Sequence, residues 1–552
     1  LRAAASRFGD GNGARTRALL ERASARRLDD AEVLIAYHDV LLFIVAYPAA
    51  AAIRALAARE LSRVAAAARD IDANGPARAR GKLAGSGIAW STITIAFGYP
   101  LVRWLVSRFP SCAEVDSFGE RGALLVEWLR PALPAAEFDL VSYGEDSPEA
   151  LLDAGTKGWR GSVLAWLVAQ LERLPCDSAL REALYDSLEC FVSVDVRDAP
   201  ISRTFARGLP AAVFYHRDAL CRSVDVDRLI GTPMPPARRL GRADRQHLVD
   251  IGRGALAMLG RETDPISYAD AARTRQYDLG RGVEIALYCA EPSKRNPLDS
   301  HIGYVLFKNR VPVGYGGGWP FLGTCKIGIN IFAPFRGGES AFLMASVLRV
   351  YARLFAVERF LVEPYQFGAG NREGLESGAF WFYFRLGFRP VEPKLRAIAD
   401  QEFARMQRSR GYRTPLAILR RFARFDLERP VIEGARAACD PSALSQAVTG
   451  WIASRFQGRR ERAEVAALRI VTTALALPSP HRWSGDERSA LRALAPVLAQ
   501  VGDLAAWPSR DKRRLIAMIR SKGGDEYRYF ALMADSPRLR DALNAVAKGN
   551  GG

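Results

Sequence analysis

The sequence is short of lysine and histidine, has no close cysteine pairs and no long unbroken apolar run, and each shortage closes off a class of function. Only nine of its 78 basic residues are lysine, so the net charge of +18 is carried mainly by arginine. The arginines recur through every segment, often two to four residues apart on helical faces, which is the pattern of solvated surfaces. That argues against nucleic acid as the partner. Binding through the arginine-rich flanks, with the clusters Arg238-Arg239, Arg420-Arg421, Arg459-Arg460 and Lys512-Arg513-Arg514, stays as a third reading. The five histidines (His38, His216, His247, His301, His481) are scattered, and no metal-ligand spacing occurs, so no metal site is assigned. Seven cysteines, odd in number and without a C-x-x-C, argue against a disulfide framework or a structural zinc and fit a reducing cytoplasm. Two apolar stretches bear on membranes. Residues 40–53 are too short and contain Pro48; residues 85–102 are uncharged but hold Ser86, Ser91, Thr92, Thr94, Pro100 and three glycines, and read as a buried helix pair. A soluble protein without a membrane partner is expected.

A chain of 552 residues with 49% hydrophobic and 25% charged residues can bury several cores. Residues 1–230 read as helical. One helix is capped by Asp29 with Glu32 at its third position, and Leu34, Tyr37, Leu41 and Ile44 form its apolar face. Residues 231–275 form a proline-rich linker and a leading helix. Strand signals follow at 283–289 (VEIALYC), 302–307 (IGYVLF) and 311–317 (VPVGYGG), with Lys308-Asn309-Arg310 as a short turn. These belong to a central domain over residues 276–395. Residues 396–552 return to a helical pattern.

The chemically suggestive stretch is residues 326–391. Ile327, Ile329 and Ile331 alternate with Gly328, Asn330 and Phe332, the period of a half-buried strand, which Pro334 ends. Arg336-Gly337-Gly338 makes a turn, and Glu339 and Ser340 open a helix with Leu343, Val347, Val350 and Leu354 on one face. Arg359 to Glu363 reads as a second strand, parallel to the first by strand-helix-strand logic. A further helix ends in Tyr383-Phe384-Arg385-Leu386-Gly387-Phe388, with Gly387 as its C-cap. A strand that feeds a glycine turn and a helix N-terminus presents free N–H groups and a positive dipole end to an anion.

This order of elements, with the final Tyr-x-x-x-Gly-Phe, resembles the GNAT acyltransferase superfamily, whose acyl-CoA pyrophosphate rests on an Arg/Gln-x-x-Gly-x-Gly/Ala turn. The matching run is Arg336-Gly337-Gly338-Glu339-Ser340-Ala341, with Glu339 where the family has glycine. The resemblance covers about 120 residues. It implies an α+β fold: a mixed-sheet, GNAT-like central domain flanked by all-helical regions at both ends. It also implies that the protein is an N-acyltransferase using acetyl-CoA or another acyl-CoA as substrate, with an unidentified amine, small molecule or protein, as acceptor. The implied cofactor-binding residues are Arg336 to Ala341, with a backbone N–H near Phe332 or Ala333 polarising the acyl carbonyl. Tyr383 is the implied acid for the leaving thiolate and Glu363 the first candidate base, ahead of Glu291 and His301. A rival reading from another class is a catalytically silent scaffold in which Glu339 closes the pyrophosphate site.

Overall fold

The computed structural model describes residues 1–9, 11–137, 147–435, 440–477 and 480–549; Cys439 lies outside them. The described residues form a mixed α+β protein, with helices at both ends of the chain and two sheets. Among them no helix is long and apolar enough to cross a membrane.

Strands β1 (Thr92–Ala96), β2 (Ala113–Ser117) and β3 (Phe191–Asp195) make a small antiparallel sheet in the order β1-β3-β2. This corrects the all-helical reading of residues 1–230 and the helix pair expected at 85–102. The Thr-Ile-Thr-Ile run of β1 alternates and is β-branched throughout, which suits a pleated strand. Pro100 then falls in the first turn of the helix Tyr99–Arg108, where a missing N–H costs nothing.

The main sheet has eight strands: β4 (Arg275–Gly280), β5 (Val283–Cys289), β6 (Ile302–Lys308), β7 (Val311–Phe321), β8 (Thr324–Ile331), β9 (Arg359–Val362), β10 (Arg389–Pro390) and β11 (Leu427–Pro430). Their spatial order is β10-β11-β9-β8-β7-β6-β5-β4. The β6–β7 loop is Asn309-Arg310, both at positive φ (48° and 73°), as a two-residue hairpin requires. Every residue of β5 and β6 is buried, because both faces are covered. Ala286, Tyr288, Val305 and Phe307 pack with Leu248, Val249, Ile251 and Leu256 of the helix Arg242–Ala257. Ile285, Leu287, Tyr304 and Leu306 join the larger core that includes Leu343, Val347 and Val350 of the helix Ser340–Leu354.

Strand β11 lies inside the stretch whose pattern reads as helical, a second correction to the all-helical flanks. Four residues carry too little periodicity to announce a strand; pairing with β9 from Leu427↔Val362 to Pro430↔Arg359 sets its state. The N-cap of the helix Ala31–Ala46 is Asp30 and not Asp29: its carboxylate accepts the Val33 N–H at 2.9 Å. Leu34, Tyr37, Leu41 and Ile44 are buried as the periodicity requires.

Candidate functional site

Strand β8 is the hinge of the site. It pairs with β7 along its whole length, but with parallel β9 only at Thr324↔Arg359, Cys325↔Phe360 and Lys326↔Leu361. Past Lys326 the two strands part. Among the described residues, the next residues of β8 therefore have no strand partner on that side.

Three side chains approach β8 in this interval. Tyr304 reaches beneath β7 and donates its hydroxyl to the Gly328 carbonyl at 2.7 Å. The crossing is possible because β7 carries Gly316, where a Cβ would lie 2.4 Å from the Tyr304 hydroxyl and 2.2 Å from the Gly328 oxygen. Gln366 packs against Gly328, its amide nitrogen 2.8 Å from where a Cβ would be. Tyr383, fully buried on the helix Ala379–Arg385, takes a hydrogen bond at its phenol oxygen from the backbone of Ile329. Burial pushes that phenol above its ordinary range, against the pull of the Ile329 bond, so it stays protonated. Of these three, only Tyr383 is legible in the sequence; the glycine run of β7 is the one trace of Tyr304, and Gln366 leaves none.

At the end of β8 the chain enters a short 3₁₀ turn, Ala333–Phe335, then Arg336, Gly337 and Gly338, and the helix Ser340–Leu354. The Phe332 N–H, one of the two groups expected to polarise a carbonyl, is spent on Val313 at 3.0 Å. Gly337 adopts φ +77° and has open space where a side chain would stand. Among the described residues, no acceptor is bonded to the N–H groups of Gly337, Ser340 and Ala341, while Leu343 closes the first helical bond on the Glu339 carbonyl at 2.9 Å. Arg336 is exposed, donates to the Ile331 carbonyl at 3.1 Å and pairs with Glu373.

Glu339 is turned inward. It is fully buried, and its carboxylate accepts from Lys308 Nζ at 2.8 Å, Arg281 at 2.5 Å and the Cys221 N–H at 2.9 Å. Burial favours its neutral form, but Lys308, the Cys221 N–H and Arg281 outweigh that and hold the carboxyl below its ordinary value. Burial also pushes the Lys308 ammonium down, to about 8, against the pull of Glu339. The like-charge conflict that a carboxylate in this turn suggests is thus absent from its exposed side. The N-terminal helices complete the arrangement: the Tyr47 hydroxyl lies 3.1 Å from the Cβ position of Gly338, and Arg2 donates to the Arg336 carbonyl at 3.2 Å.

The candidate bases are dispersed. Glu363 follows β9, half-exposed, and pairs with Lys326 at 3.0 Å across the point where β8 and β9 separate. Asp426 shares its surroundings; burial raises its pKa, Lys326 lowers it, and Glu363 and Asp440 raise it. Glu291 lies elsewhere, on the wall of a cleft beside Arg253 and Lys294. His301 stacks on Trp319 with centroids 3.8 Å apart, and burial pushes its imidazole down to about 4. The structure therefore gathers Tyr383, the backbone of β8 and the turn at 336–341 in one region, places Glu363 at its edge, sets the His301 ring over Gly317, the β7 partner of Gly328, and leaves Glu291 apart. Among the described residues no group of three or more histidine, cysteine or acidic side chains is arranged to hold a metal.

Compared with known proteins, the chain matches no family model, no curated protein and no solved structure.

Proposed function

We propose that the main sheet is an acyl-CoA scaffold of the GNAT type and that the protein transfers an acyl group to an amine. The observation that carries this reading is the parallel pair β8–β9, joined for three residue pairs and then parted, with a glycine turn and helix N-terminus where β8 ends. The free N–H groups of Gly337, Ser340 and Ala341 suit a pyrophosphate, and the open side of Gly337 lets an anion approach the backbone. Arg336 can exchange its exposed partner Glu373 for a phosphate. Acyl-CoA supplies an activated carbonyl. In the transfer the amine nitrogen bonds to that carbonyl carbon as the C–S bond breaks. Tyr383 gives its proton to the departing thiolate, and Glu363 takes the proton of the amine.

Isothermal titration of the full chain with acetyl-CoA and longer acyl-CoAs tests the binding step. Saturable binding is expected, and its absence for every acyl-CoA sinks the proposal. Tyr383→Phe should then lower the transfer rate about 10²–10⁴-fold while leaving acyl-CoA affinity nearly unchanged.

A second reading, a catalytically silent scaffold, is favoured by two observations: Tyr383 is fully buried, and Gln366 packs against Gly328, where the strands separate. Absence of transfer to any amine would select it over the enzyme, and tight acyl-CoA binding would exclude the version in which Glu339 closes the pyrophosphate site.

A further inference from the structure

Between the small-sheet unit and the main sheet lies a cleft of about 850 Å³, a size that holds a metabolite. It is lined by charged and hydroxyl groups, and its acids are largely occupied. Glu182 accepts from the Tyr268 hydroxyl at 2.9 Å and from Lys294 at 2.5 Å. Asp250, behind the wall, accepts from Trp104 Nε1 at 2.8 Å, Arg108 at 2.6 Å and Gln246 at 3.0 Å. Among the described residues, two guanidiniums of the lining, Arg253 and Arg242, have no carboxylate bond. Arg253 is anchored by donating Nε to the Ile266 carbonyl at 3.2 Å and one Nη to the Ser267 carbonyl at 2.9 Å, so its remaining N–H groups are held in a fixed direction. Arg242 is exposed at the rim and has no hydrogen-bond or ion-pair partner among the described residues. Against them stands Glu291, a carboxylate that has no side-chain hydrogen bond among the described residues and lies close enough to Arg253 to be felt electrostatically.

We infer that this cleft, separate from the site on β8, binds a polar small molecule bearing an oxyanion, a carboxylate or a phosphate, through Arg253 and Arg242. A guanidinium fixed through two backbone carbonyls gives up little rotamer freedom on binding, and its free edge matches the two oxygens of such a group. The serines of the wall, Ser107, Ser178, Ser267 and Ser293, suit a hydroxylated ligand and not an apolar one.

The test is calorimetric titration of the full chain with pyrophosphate, with citrate and with sucrose as a neutral control. Saturable binding of at least one anion and none of sucrose is expected, and the preferred anion tells phosphate from carboxylate. Arg253→Gln and Arg242→Ser should each weaken that binding about tenfold. Arg253 also ties down a loop, so its variant can lose structure; Arg242 is exposed and makes no hydrogen bond or ion pair among the described residues, so Arg242→Ser keeps the fold and decides the matter. Failure of both anions to bind, or binding unchanged in Arg242→Ser, overturns the inference. The latter would place the anion elsewhere, for instance at the turn of residues 336–341. Acyl-CoA affinity measured on the same variants keeps the two sites distinguishable.

Discussion

Glu339 stands in the glycine turn, yet its carboxylate lies inside the fold, bonded to Lys308, Arg281 and the Cys221 N–H. In the run Arg336-Gly337-Gly338-Glu339 it looks like a charge placed where an anion should rest. Its partners are out of sight of that run: Lys308 lies 31 residues away and Arg281 58. Folding brings both under the turn, and the carboxylate follows them inward. Lys308 and Glu339 are both fully buried, so breaking the pair strands a buried ammonium, which costs far more than an exposed ion pair is worth. Glu339→Gln should therefore lower the unfolding free energy by about 3–5 kcal/mol in urea titrations. The double variant Lys308→Met/Glu339→Leu should recover part of that loss, because the buried ammonium leaves with its carboxylate and the guanidinium that loses its partner, Arg281, is one-third exposed. A Glu339→Gln protein as stable as the parent would show that the cluster is not holding the turn.

Strands were legible where residue pattern and burial agree. VEIALYC and IGYVLF are continuous apolar runs, as strands covered on both faces must be, and the isoleucines of β8 mark a strand with one polar side. The parallel return of β9 follows from strand-helix-strand handedness. Strands β4 and β11 were not legible, since RQYDLG and LERP are polar and short, and only their neighbours make them strands. The parting of β8 from β9 is equally invisible, because it is a property of two strands and not of either alone. What the sequence does carry is the glycine run of β7. Gly316→Ala would put a methyl 2.2 Å from the Gly328 carbonyl oxygen, a backbone atom that cannot swing away, and would press on Tyr304 from the same side. We expect a loss of about 1–3 kcal/mol and a shift of β8 against β7. Amide exchange localises it: Gly316→Ala should speed exchange around Gly328, and unchanged protection there would contradict the crossing described above.

At the scale of the molecule, the flanks are fastened to the sheet and do not hang from it. Arg540 of the last helix grips Glu358 through two bonds of 2.8 Å. At the other end, Asn309 in the β6–β7 loop donates to the Ala46 carbonyl at 2.8 Å. One continuous core runs through both flanks. His38 belongs to this fastening. Its Nδ1 faces Asp39 Oδ1 at 3.3 Å and its Nε2 faces Thr204 Oγ1 at 3.1 Å, which joins the helix Ala31–Ala46 to a segment 166 residues away. A carboxylate can only accept, so Nδ1 carries the proton and Nε2 takes the threonine hydroxyl; the ring is neutral. Burial pushes its pKa down to about 4, with Arg203 and Arg207 adding to the fall and Asp39 opposing it. The unfolded imidazole titrates near 6.5, so between pH 6.5 and 4 the unfolded chain holds a proton that the folded chain lacks. The stability tied to His38 is therefore complete above 6.5 and lost as pH falls towards 4, at about 1.4 kcal/mol per pH unit. Glu284 works in the opposite sense over part of this range: burial lifts it to about 7, so its proton favours the folded state as pH falls. For that reason the comparison must be made between proteins and not along one titration. His38→Asn keeps a donor towards Asp39 but cannot titrate. The stability difference between parent and variant should shrink by about 3 kcal/mol from pH 6.5 to pH 4 in urea unfolding followed by circular dichroism, and a difference independent of pH would mean that the buried ring is protonated in the fold.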